Sequence, residues 1–278
     1  MTNSSRSISG STRVVGVCGQ GIAYTLSPAM HNAAFQECNL DFVYVTFEVP
    51  FGSSEQAVNG IRALGLGGAN VTKPLKTDIL PFLDVVTEQA RQIGSVNTVV
   101  NRNGILTGSS TDGGGLQRAL AQIDVTPEEL SVVILGAGGA ARAACAMCRS
   151  SGAKRLTVAA RNNERARETA TVGSAETVSM NPESLGPVVR DADLVINTVP
   201  ADLPWDPAWF SEGQTVYDTR YDKADTMLMQ AARKGGSLAA NGIDMLLYQG
   251  ALSFELWTGQ EAPLETMRKA LEEGLRNR

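Results

Sequence analysis

The sequence predicts a two-domain α/β protein, and three observations predict it. The chain has 278 residues, against roughly 100–200 for one ordinary domain. Short β-branched runs alternate with helical stretches along most of its length. Glycine occurs 28 times, above an average of about 7%, which points to many tight turns and close backbone approaches. With 43% hydrophobic and 19% charged residues, the chain has enough apolar side chain to exclude intrinsic disorder.

Residues 1–13 are polar and Ser-rich and read as a disordered lead-in, without the apolar stretch of a signal peptide. Residues 14–18, 42–49, 69–72 and 95–101 read as strands. Residues 27–38 and 53–64 carry helical apolar spacing between them. Ser27 reads as an N-cap with Pro28 at the first helical position. Asn103-Gly104 marks a hairpin tip within 99–106. An amphipathic helix over 112–123 closes this region. In the second region, 130–135, 155–160, 193–198, 215–218 and 237–240 read as strands. Helices are expected over 139–151, stopped by Gly152, over 224–234, and over 243–258 and 264–275. Such alternation implies parallel βαβ units and a doubly wound sheet.

Charge and composition exclude several classes. The 24 basic and 29 acidic residues give a net charge of −5, which does not favour nucleic acid or an anionic membrane as partner. Even the apolar run 132–141 ends at Arg142, far short of the ~20 residues that span a bilayer. One histidine, His31, and four cysteines, Cys18, Cys38, Cys145 and Cys148, make a zinc site hard to assemble, so no metal is expected. The cysteines are too scattered for a secreted disulfide framework. Cys145 and Cys148 form a C-x-x-C inside a helix, where small apolar packing is the simpler reading. His31, one turn after Ser27, reads as a helix-packing residue, and Trp205 and Trp209 as local packing in a Pro-rich loop.

The sharpest local signal is Gly136-Ala137-Gly138-Gly139-Ala140-Ala141, directly between a strand and a helix. In this G-x-G-x-x-A, Gly136 allows the tight turn, Gly138 lets the backbone approach a pyrophosphate, and Ala141 lets helix pack on strand. The helix N-terminus offers unpaired N–H groups to the phosphates. This is the start of a Rossmann-type domain. At the end of the next strand, NAD proteins usually carry an acid for the ribose 2′-hydroxyl. Here Ala160-Arg161-Asn162 is followed by Arg165, and arginines suit a 2′-phosphate. NADP is therefore the expected cofactor.

Four other segments are rich in small polar groups: 19–32, 68–76, 95–98 with 108–113, and 241–250. They supply the hydroxyls of Thr25, Ser27 and Thr72, the amides of Asn70, Asn97 and Gln249, one lysine, Lys76, and one acid, Asp112. Such a set suits a small polyhydroxylated ligand, and a Lys–Asp pair suits proton transfer beside a hydride acceptor.

From about Val14 to Gly259 the chain resembles the shikimate dehydrogenase family, through GANVTKPLK, SVNT with STDG, GAGGAAR and NGIDMLLYQ in family order and spacing. The resemblance implies reversible reduction of 3-dehydroshikimate to shikimate with NADP. It makes Lys76 and Asp112 the catalytic pair and gives the substrate carboxylate to Thr25 and Ser27. Asn70, Thr72, Asn97, Tyr221 and Gln249 would hold the ring and its hydroxyls. Ala160, Arg161, Asn162 and Arg165 would grip the adenosine phosphate, and Thr198, Thr219 and Gly242 would line the nicotinamide side. It further implies a substrate domain of residues 1–112 plus 242–278, a nucleotide domain of 113–241, a cytoplasmic location and a monomer or homodimer. Four departures stand out: Thr25 in place of the usual first serine, Ser110 in place of asparagine, Thr219 in place of methionine, and a loop, Asn197-Thr198-Val199-Pro200-Ala201-Asp202, that lacks its usual glycine. The rival readings are a quinate or aminoshikimate dehydrogenase, a non-catalytic dinucleotide-binding regulator, and a nucleotide-binding domain of some unrelated enzyme.

Overall fold

A computed structural model describes residues 7–277. Residues 1–6 of the expected lead-in lie outside the described residues; residues 9–13 differ from expectation. Thr12 N donates to Ser9 O, the Ser11 and Thr12 hydroxyls donate to Asp41, and Arg13 already belongs to a strand.

One unit takes the chain up to Thr111 and again from Leu246; the other is Asp112–Met245. The first contains β1 (Arg13–Gly19), α1 (Ser27–Glu37), β2 (Phe42–Glu48), α2 (Ser54–Ala63), β3 (Gly68–Val71), β4 (Val85–Val86), α3 (Glu88–Ile93), β5 (Thr98–Arg102) and β6 (Ile105–Ser109). Its six strands run β2-β1-β3-β5-β6-β4. β1 is parallel to β2 and β3, whereas β5 is antiparallel to both β3 and β6. Arg102 pairs with Ile105 across a two-residue turn in which Asn103 and Gly104 have φ of 53° and 85°. Positive φ at both positions is what a type I′ hairpin requires. Val58, Ile61, Val71, Leu75, Val99 and Leu106 share one buried cluster under this sheet.

The second unit contains α4 (Asp112–Ala121), β7 (Ser131–Leu135), α5 (Gly139–Ser150), β8 (Arg155–Ala160), α6 (Asn163–Gly173), β9 (Glu176–Ser179), α7 (Pro182–Arg190), β10 (Leu194–Asn197), β11 (Thr215–Asp218), α8 (Met227–Lys234) and β12 (Leu238–Asn241). Its sheet, in the order β12-β11-β10-β7-β8-β9, is parallel throughout. α9 (Ile243–Thr258) and α10 (Leu264–Arg276) complete the chain. The second sheet follows the doubly wound pattern in which helices connect parallel strands, and so do β1, β2 and β3 of the first.

Three local expectations are corrected. Leu26, not Ser27, is the residue before α1, and no side chain caps it. α8 begins at Met227 rather than at 224 because the Thr226 hydroxyl accepts from Met229 N and so sets the start. The strand expected over 95–101 is confined to Thr98–Arg102, since Val96 and Asn97 bond instead to Lys76 O and Ser109 O. The four cysteines are free, and burial pushes the Cys145 thiol up to about 12, in keeping with packing rather than redox chemistry.

Candidate active site

Strand direction gathers the polar segments of the first unit. β1 and β3 end on the same side of the sheet; β5, running the other way, begins there, and β6 returns to it, with Asn70 opposite Thr98 and Thr98 opposite Ser109. The loops after β1 and β3, the start of β5 and the end of β6 therefore meet at one sheet end. In doubly wound sheets ligands bind outside the carboxyl ends of parallel strands. Thr25 and Ser27 follow β1, Thr72 and Lys76 follow β3, Asn97 precedes β5, and Ser110 and Thr111 follow β6.

Backbone bonds hold these loops close. Gln20 N donates to Lys73 O at 3.0 Å, and the Glu48 carboxylate at the end of β2 accepts from Gly21 N. A Cβ at Gly19 would run into Thr72 Cγ2, so glycine permits the approach. Thr25 Oγ1 donates to Ser27 Oγ at 3.1 Å, which leaves two hydroxyls side by side.

Behind them lies a buried polar network. Asn97 Nδ2 donates to Thr111 Oγ1 at 2.8 Å and to Gln249 Oε1 at 3.2 Å, while its Oδ1 accepts from Thr111 N at 2.7 Å. Asn70 Oδ1 accepts from the Tyr44 hydroxyl at 2.8 Å, and Asn70 Nδ2 donates to Ser253 Oγ at 2.9 Å, Asn97 O at 3.1 Å and Thr98 Oγ1 at 3.2 Å. Both Asn70 amide protons are thus used inside the protein. Satisfied buried networks rigidify a site. Thr98 and Thr111 fall within the polar segments 95–98 and 108–113, whereas Tyr44 and Ser253 lie outside every segment that the sequence singles out. Ser253 could have been found, being one turn after Gln249 on α9. Asp112 follows Thr111 directly, is buried, and opens α4; Lys76 is half-buried.

In the second unit the expected cofactor residues also sit at strand ends: Gly136 after β7, Arg161 after β8, Thr198 after β10, Thr219 after β11 and Gly242 after β12. The chain winds outward in opposite directions from the adjacent pair β7 and β10, which is the topological switch point where dinucleotides bind. Gly136 has φ of +108°, and a Cβ there would collide with Thr198 Oγ1, which itself donates to Leu135 O at 2.7 Å. Beyond it, a Cβ at Gly138 would meet nothing within 4 Å, and no side chain caps α5. Gly138, Gly139 and Ala140 therefore leave a helix N-terminus facing open space, while Ala137 O accepts from Thr169. Ala160 is buried, and Arg161, Asn162 and Arg165 are exposed; Asn162 Oδ1 accepts from Arg165 N at 2.9 Å and so caps α6. A glycine cradle, an uncapped helix start and two exposed arginines with no acid at the strand end fit a dinucleotide with a 2′-phosphate.

The residues expected on the nicotinamide side are held by backbone contacts. Thr219 N donates to Asn197 O and Gly242 N to Arg220 O, and a Cβ at Gly242 would strike the Thr219 backbone. Asp218 Oδ1 accepts from Asn197 Nδ2 and Arg220 N, and its Oδ2 accepts from Thr226 Oγ1. Burial pushes its carboxyl above the ordinary range, against the pull of these bonds. Tyr221 follows, half-buried.

His31 is fully buried, stacked on Tyr44 at 4.5 Å and tilted against Trp257 at 5.3 Å. Neither ring nitrogen has a hydrogen-bond partner, which fits packing. Among the described residues no group of three or more His, Cys, Asp or Glu could hold a metal ion, and no helix is long and apolar enough to cross a membrane.

A dinucleotide-binding sheet combined with a second α/β unit that gathers hydroxyls, amides and a lysine defines a two-domain, NADP-dependent type of oxidoreductase. The chain belongs to the shikimate dehydrogenase family. Residues 17–99 match the model of the shikimate dehydrogenase substrate binding domain and residues 242–272 that of the shikimate 5′-dehydrogenase C-terminal domain. Residues 132–204 match the saccharopine dehydrogenase NADP binding domain. The shikimate dehydrogenase (NADP(+)) of Moorella thermoacetica is 40% identical over 96% of this chain and 95% of its own. Shikimate 5-dehydrogenase from Thermus thermophilus, solved with NADP(H) and shikimate, superposes with a TM-score of 0.85 at 30% identity, covering 94% of this chain and 99% of that one. Quinate dehydrogenase from Corynebacterium glutamicum, solved with NAD, gives 0.82 at 30% identity over 94% and 99%.

Proposed function

We propose that this protein is a shikimate dehydrogenase that interconverts 3-dehydroshikimate and shikimate with NADP, in the biosynthesis of chorismate and the aromatic amino acids. The observation that carries the reading is the gathering of Thr25, Ser27, Thr72, Lys76, Asn97 and Thr111 at one sheet end, with Asp112 next in the chain. NADPH, when bound, supplies the hydride for the C3 carbon. Lys76 gives the proton to the C3 oxygen in reduction and takes it back in oxidation, with Asp112 as its partner in proton transfer. The Thr25 and Ser27 hydroxyls hold the substrate carboxylate. Asn70, Thr72, Asn97, Tyr221 and Gln249 hold the ring and its hydroxyls, directly or through the buried network that joins Asn70 and Asn97. Gly136, Ala137, Gly138, Gly139 and Ala140 cradle the pyrophosphate; Ala160, Arg161, Asn162 and Arg165 receive the adenosine 2′-phosphate; Thr198, Thr219 and Gly242 border the nicotinamide. The protein acts in the cytoplasm as a monomer or homodimer.

Thr25 favours keeping quinate as a second substrate, because its methyl group changes the room beside the carboxylate. The deciding experiment is oxidation of NADPH with 3-dehydroshikimate, run beside NADP reduction with shikimate and with quinate. Shikimate is expected to give the higher kcat/KM. Lys76→Ala should lower kcat by about 10²–10⁴, the range of a general acid–base group, with a smaller change in KM. A folded, NADP-binding Lys76→Ala protein with parental kcat would remove Lys76 from the mechanism, and no turnover of shikimate by the parent would remove the assignment.

A further inference from the structure

The loop after β10 is moored at two places. At its base, the Thr198 hydroxyl donates to Leu135 O. Further along, Asp202 Oδ1 accepts from Arg220 Nη1 at 2.7 Å, and Asp202 Oδ2 accepts from Lys223 Nζ. The same guanidinium donates through Nε and Nη2 to both oxygens of Asp222, at 3.0 and 2.8 Å. Only 10% of the Arg220 side-chain surface is exposed, so one oriented fork holds Asp222 through two bonds and Asp202 through one; charge-assisted bonds of this kind are stronger than neutral ones. The arginine is also fixed at its backbone, with N on Asp218 Oδ1 and O on Gly242 N. Lys223 and Arg220 together hold the Asp202 carboxyl below the usual carboxylate range.

This loop is the one that lacks the expected glycine, and Arg220 lies between Thr219 and Tyr221. We propose that Asp202 is a positioning residue: by bridging Arg220 and Lys223 it fastens the 199–202 loop to the 219–223 segment and holds the nicotinamide side of the site ready for the dinucleotide. The proposal rests on the placing of Thr198 and Thr219 beside the nicotinamide. Ordering that loop in advance removes an entropy cost that binding would otherwise carry.

The test uses the whole protein with Asp202→Asn and, as rescue, Asp202→Glu. Hydrogen exchange is measured over residues 199–206 without ligand. Affinity is measured by calorimetry for NADP and for adenosine 2′,5′-bisphosphate, a probe without the nicotinamide. In Asp202→Asn, exchange should speed up in that loop and NADP should bind about fivefold more weakly, as the loss of a partly exposed ion pair implies. Adenosine 2′,5′-bisphosphate should bind as to the parent, and Asp202→Glu should recover much of the loss. Raising salt should weaken NADP binding more in the parent than in Asp202→Asn. Unchanged exchange would overturn the fastening; faster exchange with parental NADP affinity, or equal losses for both ligands, would overturn the positioning role. A parent that binds NADP but leaves shikimate untouched would instead overturn the proposed activity, with the exchange and affinity results still deciding for or against Asp202.

Discussion

The Tyr44 hydroxyl donates to Asn70 Oδ1 across 2.8 Å in a fully buried pair. This bond decides which way the Asn70 amide faces. With Oδ1 turned to Tyr44, Nδ2 is directed at Ser253, 183 residues further along the chain, and at Asn97 O. The ring of Tyr44 lies against His31, so α1, β2, β3 and α9 are joined through one tyrosine.

Tyr44→Phe removes the donor while leaving Asn70 Oδ1 buried. Such a loss costs about 1–3 kcal/mol, and urea unfolding should show it as a lower midpoint with an unchanged slope. A midpoint equal to that of the parent would mean that the bond contributes nothing to stability.

Two glycines two positions apart should respond differently to alanine. Gly136→Ala puts a side chain at φ +108° and into Thr198, so it should lose about 1–3 kcal/mol of stability together with NADP binding. Gly138 has φ −96° and ψ −173°, open to any residue, with no neighbour for a Cβ. Gly138→Ala should keep its stability within about 0.5 kcal/mol and still bind NADP poorly, because its methyl group would occupy the place proposed for the pyrophosphate. Normal NADP affinity in Gly138→Ala would rule out a pyrophosphate there.

Arg161 and Arg165 should set the cofactor preference. NADP is expected to exceed NAD in kcat/KM by about tenfold or more, for which ~1.4 kcal/mol suffices. Arg161→Ala should weaken NADP far more than NAD, and equal efficiency of the two cofactors in the parent would refute the assignment.

Burial pushes the His31 pKa down to about 3, against about 6.5 in an unfolded chain. The folded protein therefore binds fewer protons at this site. The stability that a neutral His31 allows is complete above 6.5 and is lost as pH falls from 6.5 toward 3, at up to about 1.4 kcal/mol per pH unit. The faces around it belong to Tyr44, Trp257 and Phe35, none of them charged in this range. His31→Phe should flatten the acid limb of a stability–pH curve measured from pH 7 to 4. An equally steep limb in the variant would place the titrating group elsewhere.

Much of the fold was legible because its signals are local. β11 and α9 match the residues expected from β-branched content and from apolar spacing, and the Asn103-Gly104 turn needs only positive φ. The elements that escaped have weak or conflicting local signals. β4 is two residues long, β9 is a half-exposed edge strand of mixed polarity, and α7 contains Gly186 and Pro187, residues that usually break helices. Gly186 is needed there because Trp209 packs against its Cα side, where a Cβ would come within 2.8 Å of the indole nitrogen. For the candidate site, residue types and spacing mark Thr25, Ser27 and the glycine turn, whereas Lys76 stands out only through its place in GANVTKPLK. Tyr44 and Ser253 escaped because their partners are remote in sequence, as did the pairing of Asp202 with Arg220 across 18 residues.

The unit that carries Lys76 is interrupted in sequence, since its last parts, from Leu246 onward, come after the whole of Asp112–Met245. Ser253 closes the Asn70 network, and Trp257 donates to Val99 O in the centre of the sheet. During synthesis on the ribosome, the dinucleotide-binding unit has all its strands as soon as β12 emerges, and domains fold as units while the chain grows. The other unit must wait, with the face of β3 and β5 that meets α9 uncovered, until α9 leaves the exit tunnel. The unit whose chain starts earlier is thus the last to be finished.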